Sequence, residues 1–283
     1  MVSFRSPESQ AEFAARGLDL PSQGTERNYQ QALKGLAEFM QKNGLGTLRD
    51  LDSAKGLEYL AERARAVGQK TLDLDRQAVQ SVLGQKLEVI KSRLEPTLGS
   101  RAYSPEQAKI VAAAQTQRNS LATEIAHSAG LRAHELLTLR PAEERPADTH
   151  RAYRDDRFKG REDVKIYTVQ GKGGLCREVA IANSLADRLE ARRIDAPRTI
   201  YDRGIGYRQH YDLGGGQRWS ASFGAASNRE LGWSTGAHGL RHSYAQERMN
   251  SLLGKGYEYR AALQVVSEEM GHFRPEITEV YLR

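Results

Sequence analysis

Apolar positions recur at helical spacing over most of the chain. Between Thr25 and Asn43, residues Tyr29, Leu33, Leu36, Phe39 and Met40 fall on one stripe, and Asn43-Gly44 supplies a stop, so the spacing predicts a helix. Asp52 or Ser53 can cap a second helix, with Leu57, Leu60, Ala61 and Ala64 inward. A third helical region runs from Leu74 to Leu94 on Val79, Val82, Leu83, Leu87 and Ile90, with Gly84 as a break within it. Residues 1 to 23 show no periodic pattern and read as a lead-in. Pro96 to Tyr103 interrupts the pattern, and Ser104-Pro105-Glu106-Gln107 then restarts it as a capping box with proline at the first helical position. Helices are predicted at Ser120 to Ser128, closed by Gly130, and at Leu131 to Leu137.

The periodicity then changes. Residues 141 to 163 are polar and charged and read as a loop with one edge strand. Lys165 to Val169 and Arg177 to Ile181 are rich in β-branched and aromatic residues, and Gly171-Lys172-Gly173-Gly174 between them makes a hairpin turn. Helical spacing returns at Ser184 to Arg193, Leu240 to Leu252 and Tyr257 to Met270, while glycine-rich 203 to 236 reads as loops and short helices. The class is mainly α with a small β-hairpin or sheet, an α+β chain. Its divisions are a lead-in (1–24), a helical bundle (25–96), a linker (97–103) and a second domain (104–283). Two domains also suit 283 residues.

Composition narrows the setting. No apolar run approaches the roughly 18 residues a bilayer span needs. Met1 to Arg16 has no apolar signal core and carries Glu8 and Glu12, so a cytoplasmic protein without a membrane partner is expected. The one cysteine, Cys176, rules out an internal disulfide and any multi-cysteine metal site. With 42 Lys and Arg against 36 Asp and Glu, the net charge of +6 permits an acidic partner such as nucleic acid without requiring one. Arginine is prominent after residue 140, at 140, 145, 151, 154, 157, 161 and 177, and its fork suits phosphate better than lysine does.

The candidate chemistry gathers near the end of the chain. His238 and Arg241, three apart, share a helix face, and His272 and Tyr281 flank Pro275, a first residue for a final helix. Two imidazoles, a guanidinium and a phenol can together hold a phosphodiester and attack it. Singly, each has an ordinary structural explanation. His238 suits a core or capping role, Arg132 with Glu135 a helix-face ion pair, Lys172 a solvated tip, and Tyr281 packing. The glycines at 171, 173 and 174 do not make a P-loop, since a strand follows. His238 and His242 have an i, i+4 spacing but no nearby carboxylate before Glu247, so no metal site is expected.

In order, the set is more specific. Gly130-Leu131-Arg132-Ala133-His134-Glu135-Leu136-Leu137, Gly171-Lys172-Gly173 on a hairpin, His238-Gly239-Leu240-Arg241-His242-Ser243-Tyr244-Ala245, Met270-Gly271-His272 and Tyr281 resemble the tyrosine recombinase (integrase) family. The motifs lie within 104–283; residues 25 to 95 resemble the family's core-binding domain only in helical pattern. Two departures stand out. The 40 residues from Arg132 to Lys172 exceed what most members have, and the chain stops two residues after Tyr281, where members often carry a further helix that docks on a neighbouring protomer.

The resemblance implies a site-specific recombinase acting on double-stranded DNA as a tetramer on two sites, without metal or other cofactor. Accessory DNA-bending proteins are implied as further partners. Arg132 and Arg241 would hold the phosphate oxygens, Tyr281 would attack, and His238 would take the phenol's proton. A free phenol, with a pKa of about 10, needs that help at neutral pH. Lys172 would protonate the leaving 5′ oxygen, His272 would bond the phosphate or leaving group, and Glu135 would steer Arg132 or His238. The product would be a 3′-phosphotyrosyl link. The two domains would close on the duplex as a clamp, and no separate arm-binding domain is expected upstream of Thr25. Alternatives are a type IB topoisomerase and a non-catalytic DNA-binding protein of the same fold, and Tyr244 is the second candidate nucleophile.

Overall fold

The computed structural model describes residues 6–95 and 99–283, and of Lys172 the backbone alone. Residues 97 and 98 of the predicted linker, and the first five of the lead-in, therefore lie outside the described residues. The chain divides into two compact units, Met1–Thr97 and Leu98–Arg283.

The N-terminal unit is helical. Helix α1 spans Pro7–Arg16, where only a lead-in was expected. Ser6 caps it and Pro7 preorganises its first turn, but only Ala11 and Ala15 are buried, a face too thin to show as a stripe. Helix α2, Gln23–Lys42, buries Tyr29, Leu33, Leu36, Phe39 and Met40 as the spacing predicts, with Ser22 as its cap. Helix α3 is Ser53–Arg63, capped by Asp52, and α4 is Gln69–Leu83. The third helix ends at Gly84, left-handed at φ 68, rather than continuing to Leu94. Buried Asp75 is paired with Arg63 at 2.9 Å.

The C-terminal unit opens with α5, Pro105–Ala113, on its predicted capping box, followed by α6, Gln117–Ala129. Gly130 ends α6 in a left-handed conformation, and a Cβ there would meet the Tyr244 ring at 2.6 Å. Residues 131–137, expected as a helix, form a turn and then a short 3₁₀ segment, Glu135–Thr138. A three-stranded antiparallel sheet follows, ordered β1 (Arg140–Pro141), β2 (Val164–Gln170), β3 (Cys176–Ala182). The edge strand expected within 141–163 is not found beyond Pro141; the sheet's short edge strand β1 starts one residue earlier, at Arg140.

Helix α7 is Asn183–Glu190, shorter than expected because the chain turns at 191–192 into β4, Arg193–Asp202, which pairs with β5, Ile205–Tyr211. That second hairpin stands where loops and short helices were expected. Its exposed positions mix polar residues with Tyr201 and Ile205, and only Gln209 and Tyr211 are buried, so it lacks a clean alternation. Helices α8 (Gly216–Leu231), α9 (Gly239–Gly254), α10 (Tyr259–Glu269) and α11 (Pro275–Glu279) complete the unit. Its main core gathers Tyr103, Ile125, Val169, Ile181, Trp219, Phe223 and Leu240. A second apolar cluster, around Met249, Leu263, Val266 and Met270, receives the final turn of the chain. Among the described residues, no helix is long and apolar enough to cross a membrane.

Most of the arginine-rich stretch turns inward, contrary to the expectation that it supplies cations for phosphate. Arg145 donates to the carbonyls of Thr138 and Thr168, Arg161 to that of Ser128, and Arg157 to the Glu178 carboxylate. Carboxylates return the ties, since Glu268 accepts from the Arg154 amide and Glu269 from the Phe158 amide. The long segment is stitched to the sheet and to the end of α10.

Candidate active site

Three arginines meet at one carboxylate. Glu135 is fully buried. Its Oε1 accepts from Arg132 Nη1 at 2.7 Å, and its Oε2 from the Arg132 amide at 2.7 Å and from Arg177 Nη2 at 2.9 Å. Arg241 Nη1 stands 3.8 Å from the same oxygen. Burial alone would raise this carboxyl, but Arg177, Arg132 and Arg241 hold it well below the usual carboxylate range. Of the two partners expected for Glu135, it is hydrogen-bonded to Arg132 and not to His238. Arg177, counted above among cations for phosphate, is instead wholly buried as a partner of Glu135. A salt bridge spanning 42 residues of sequence leaves no local signal by which to find it.

The cluster carries two more positive charges than negative ones, and Arg132 is its one arginine with exposed side-chain surface, 23%, against 0% for Arg177 and Arg241. Burial, and then the charge of Arg132, push even the Arg241 guanidinium down from its ordinary value. An anion at Arg132 would relieve that imbalance.

Arg241 ties the cluster to the C-terminal elements. It donates to the Gly130 carbonyl, to the Met270 carbonyl at 3.1 Å, and lies 3.0 Å from His272 Nε2. The other nitrogen of that ring meets Thr278 Oγ1 at 3.1 Å. Burial, then the charges of Arg241 and Arg132, push the His272 imidazole down to about 3, so it is neutral at ordinary pH. Two glycines of the motifs permit the crowding. A Cβ on Gly239 would fall 2.4 Å from the Arg101 carbonyl, and one on Gly271, at φ 70, would fall 2.6 Å from Arg177 Cδ.

Tyr281 sits in a 3₁₀ turn, Val280–Leu282, that continues α11. Its hydroxyl lies 3.2 Å from His238 Nε2. Its ring is flanked by His238, His242 and His272, with centroids 5.4, 4.7 and 5.0 Å away, and the Arg241 guanidinium carbon stands 5.6 Å from its centre. His238 keeps exposed surface as a residue, yet its ring is hemmed in. Desolvation, then the charges of Arg241 and His242, push it down to about 4. A neutral imidazole can accept the phenol's proton. His242, considered above only as a metal ligand, instead packs on Tyr281; its i, i+4 spacing from His238 was the available clue. Among the described residues no group of His, Cys, Asp or Glu is placed to hold a metal ion.

Tyr244, the second candidate nucleophile, is buried and donates to Glu269 Oε2 at 2.8 Å. Burial and that carboxylate push its phenol well above the usual range. The turn bearing Lys172 begins at Gly171, where a Cβ would lie 3.4 Å from Glu135 Oε1 and 4.0 Å from Arg132 Nη1. The structure therefore brings Arg132, Glu135, His238, Arg241, His272 and Tyr281 together, with the backbone of the Lys172 turn beside them.

No protein-family model matches the chain, and no curated protein matches it in sequence. Solved structures match it in shape. XerH site-specific recombinase bound to its difH substrate, in a pre-cleavage complex, aligns over 98% of this chain and 91% of its own, with a TM-score of 0.57 and 15% identity. A dimer of lambda integrase residues 75–356 bound to a COC' core site aligns over 99% and 95%, with a TM-score of 0.57 and 16% identity. The Tn1549 transposon integrase in complex with circular intermediate DNA aligns over 99% and 96%, with a TM-score of 0.54 and 14% identity. The chain has the fold of the tyrosine recombinases.

Proposed function

We propose that this protein cuts and rejoins DNA strands at specific sites through a 3′-phosphotyrosyl intermediate. The observation that carries the reading is the 3.2 Å approach of the Tyr281 hydroxyl to a neutral His238, beside a guanidinium cluster with surplus positive charge. Arg132 forks onto the non-bridging oxygens of the scissile phosphate, and the field of Arg241 and Arg177 favours the charge gathering there. Tyr281 Oη attacks phosphorus as its proton passes to His238 Nε2. The bond from phosphorus to the 5′ oxygen breaks, and Lys172 gives that oxygen a proton. A 5′ hydroxyl from another strand reverses the step, so the bond energy is kept.

Residues 25–96 serve as a core-binding domain that grips the duplex, joined through 97–103 to the catalytic domain, and phosphate contacts make binding strongly salt-dependent. Two sites are brought together by a tetramer of this chain. The structural neighbours support this assembly in kind, since lambda integrase was captured as a tetramer on a Holliday junction.

A nicked suicide duplex carrying the target site tests the chemistry. The wild type should form a covalent adduct that survives denaturing electrophoresis, and Tyr281→Phe should bind equally well and form none. Binding without an adduct in the wild type would leave a DNA-binding protein, and an adduct with Tyr281→Phe would place the nucleophile elsewhere.

A further inference from the structure

We propose that Gln246 is a positioning residue that holds Tyr281 in the pocket of its own chain; this rests on reading Tyr281 as the nucleophile. The last carbonyls of a helix have no partner within it. One of these, on Tyr281 in the final turn, accepts from the Gln246 side-chain amide at 3.1 Å, and the main-chain oxygen of Arg283 just past that turn accepts from the same nitrogen at 3.1 Å. Gln246 lies on α9, four residues after His242 and eight after His238, so the three share one face of that region.

All three touch the same turn. His238 meets the phenol oxygen at 3.2 Å, His242 packs on the ring at 4.7 Å, and Gln246 takes the carbonyl of the same residue. Leu282 packs beside them on the apolar cluster around Met249 and Met270. The nucleophile is gripped at oxygen, ring and main chain by one helix. Its presentation is thereby intramolecular, and what Gln246 sets is the fraction of time the phenol stands in place. The contact reaches the reaction only through Tyr281, which separates it from the groups facing phosphate.

Gln246→Glu keeps the shape of the side chain but loses both donors and turns oxygens toward the two acceptor oxygens. Gln246→Lys keeps a donor. At saturating suicide duplex, Gln246→Glu should slow adduct formation on the order of ten- to a hundredfold, with unchanged affinity for DNA. Backbone amides of residues 276–283 should exchange faster with deuterium, and Gln246→Lys should recover much of both properties. Unchanged exchange in Gln246→Glu would overturn the latch, and faster exchange with an unchanged adduct rate would overturn the positioning role. Adduct formation at wild-type speed by a mixture of Tyr281→Phe and Arg132→Ala chains would mean a neighbour delivers the phenol, which also overturns it. Failure of the wild type itself to form an adduct would instead remove the nucleophile reading, whatever the exchange shows.

Discussion

Glu135 and Glu269 are two buried carboxylates on arginine, and they make opposite use of it. Glu269 holds Arg248 in a fork at 2.9 and 2.8 Å, accepts from the Tyr244 hydroxyl at 2.8 Å and ties down the Phe158 amide. One guanidinium meets one carboxylate, and the nearby phenol is a donor locked out of reaction. Glu135 faces three guanidiniums, and the phenol in its neighbourhood is paired with an imidazole instead. The residue types are the same, arginine, glutamate and tyrosine. Charge balance separates a tie from a site, because a surplus of cations is costly until an anion arrives.

Exchanging the fates of the two tyrosines is the sharpest way to break that contrast. Tyr281→Phe should abolish the covalent adduct and leave the melting temperature near that of the wild type. Tyr244→Phe should cost roughly 1–3 kcal/mol in denaturant unfolding, since it strips a donor from a buried carboxylate. It should leave adduct formation within a few-fold; a Tyr244→Phe protein that folds but forms no adduct would undo the assignment. The carboxylates come next. Glu269→Gln leaves Arg248 buried without its counterion and should cost about 3–5 kcal/mol. Glu135→Gln should cost a similar amount, but sulfate should restore much of its melting temperature and little of that of Glu269→Gln. Equal rescue would mean that the Glu135 cluster has no special affinity for anions.

Smaller effects follow from the imidazoles. Because its folded value is lowered to about 4, His238 stays neutral while the unfolded chain takes up a proton near about 6.5. Its contribution to stability is therefore full above that pH and is lost as pH falls toward 4; His272, at about 3, acts in the same direction. An NMR titration should find no His238 inflection near 6.5, and finding one would show that the ring is not held neutral. The least effect is expected from Arg157→Gln. Its partner is Glu178 and it packs over the Tyr153 ring with only 13% of its side chain exposed, so the change should cost about 1–2 kcal/mol and leave the salt dependence of DNA binding unaltered. A shallower salt slope would return that arginine to the DNA.

What could be foreseen divides along similar lines. Helix α2 shows in its spacing because seven buried positions make a broad stripe and Ser22 marks its start. The ordered Arg132, Lys172, His238, Arg241, His272 and Tyr281 motifs pointed to a pocket, and those whose side chains are described do meet there. Helix α1 was missed because two alanines are its whole buried face, and the β4–β5 hairpin because it buries only Gln209 and Tyr211 and so shows no period-two stripe. The roles of Arg177 and of the arginines at 145, 157 and 161 depend on which acceptors folding brings near. That is a property of tertiary contact, which spacing along the chain does not record.

Arg177 has one more consequence. Its guanidinium reaches Glu135 with one nitrogen and the Glu269 carbonyl with another, at 2.9 and 2.8 Å, while its stem passes over Gly271. It stands on β3, two residues past the end of the Gly171–Leu175 turn that carries Lys172. The hairpin is therefore a lever with a sunken fulcrum. Any movement of the hairpin tip is confined to the few residues of that turn, since the strand behind it is pinned to the floor of the pocket.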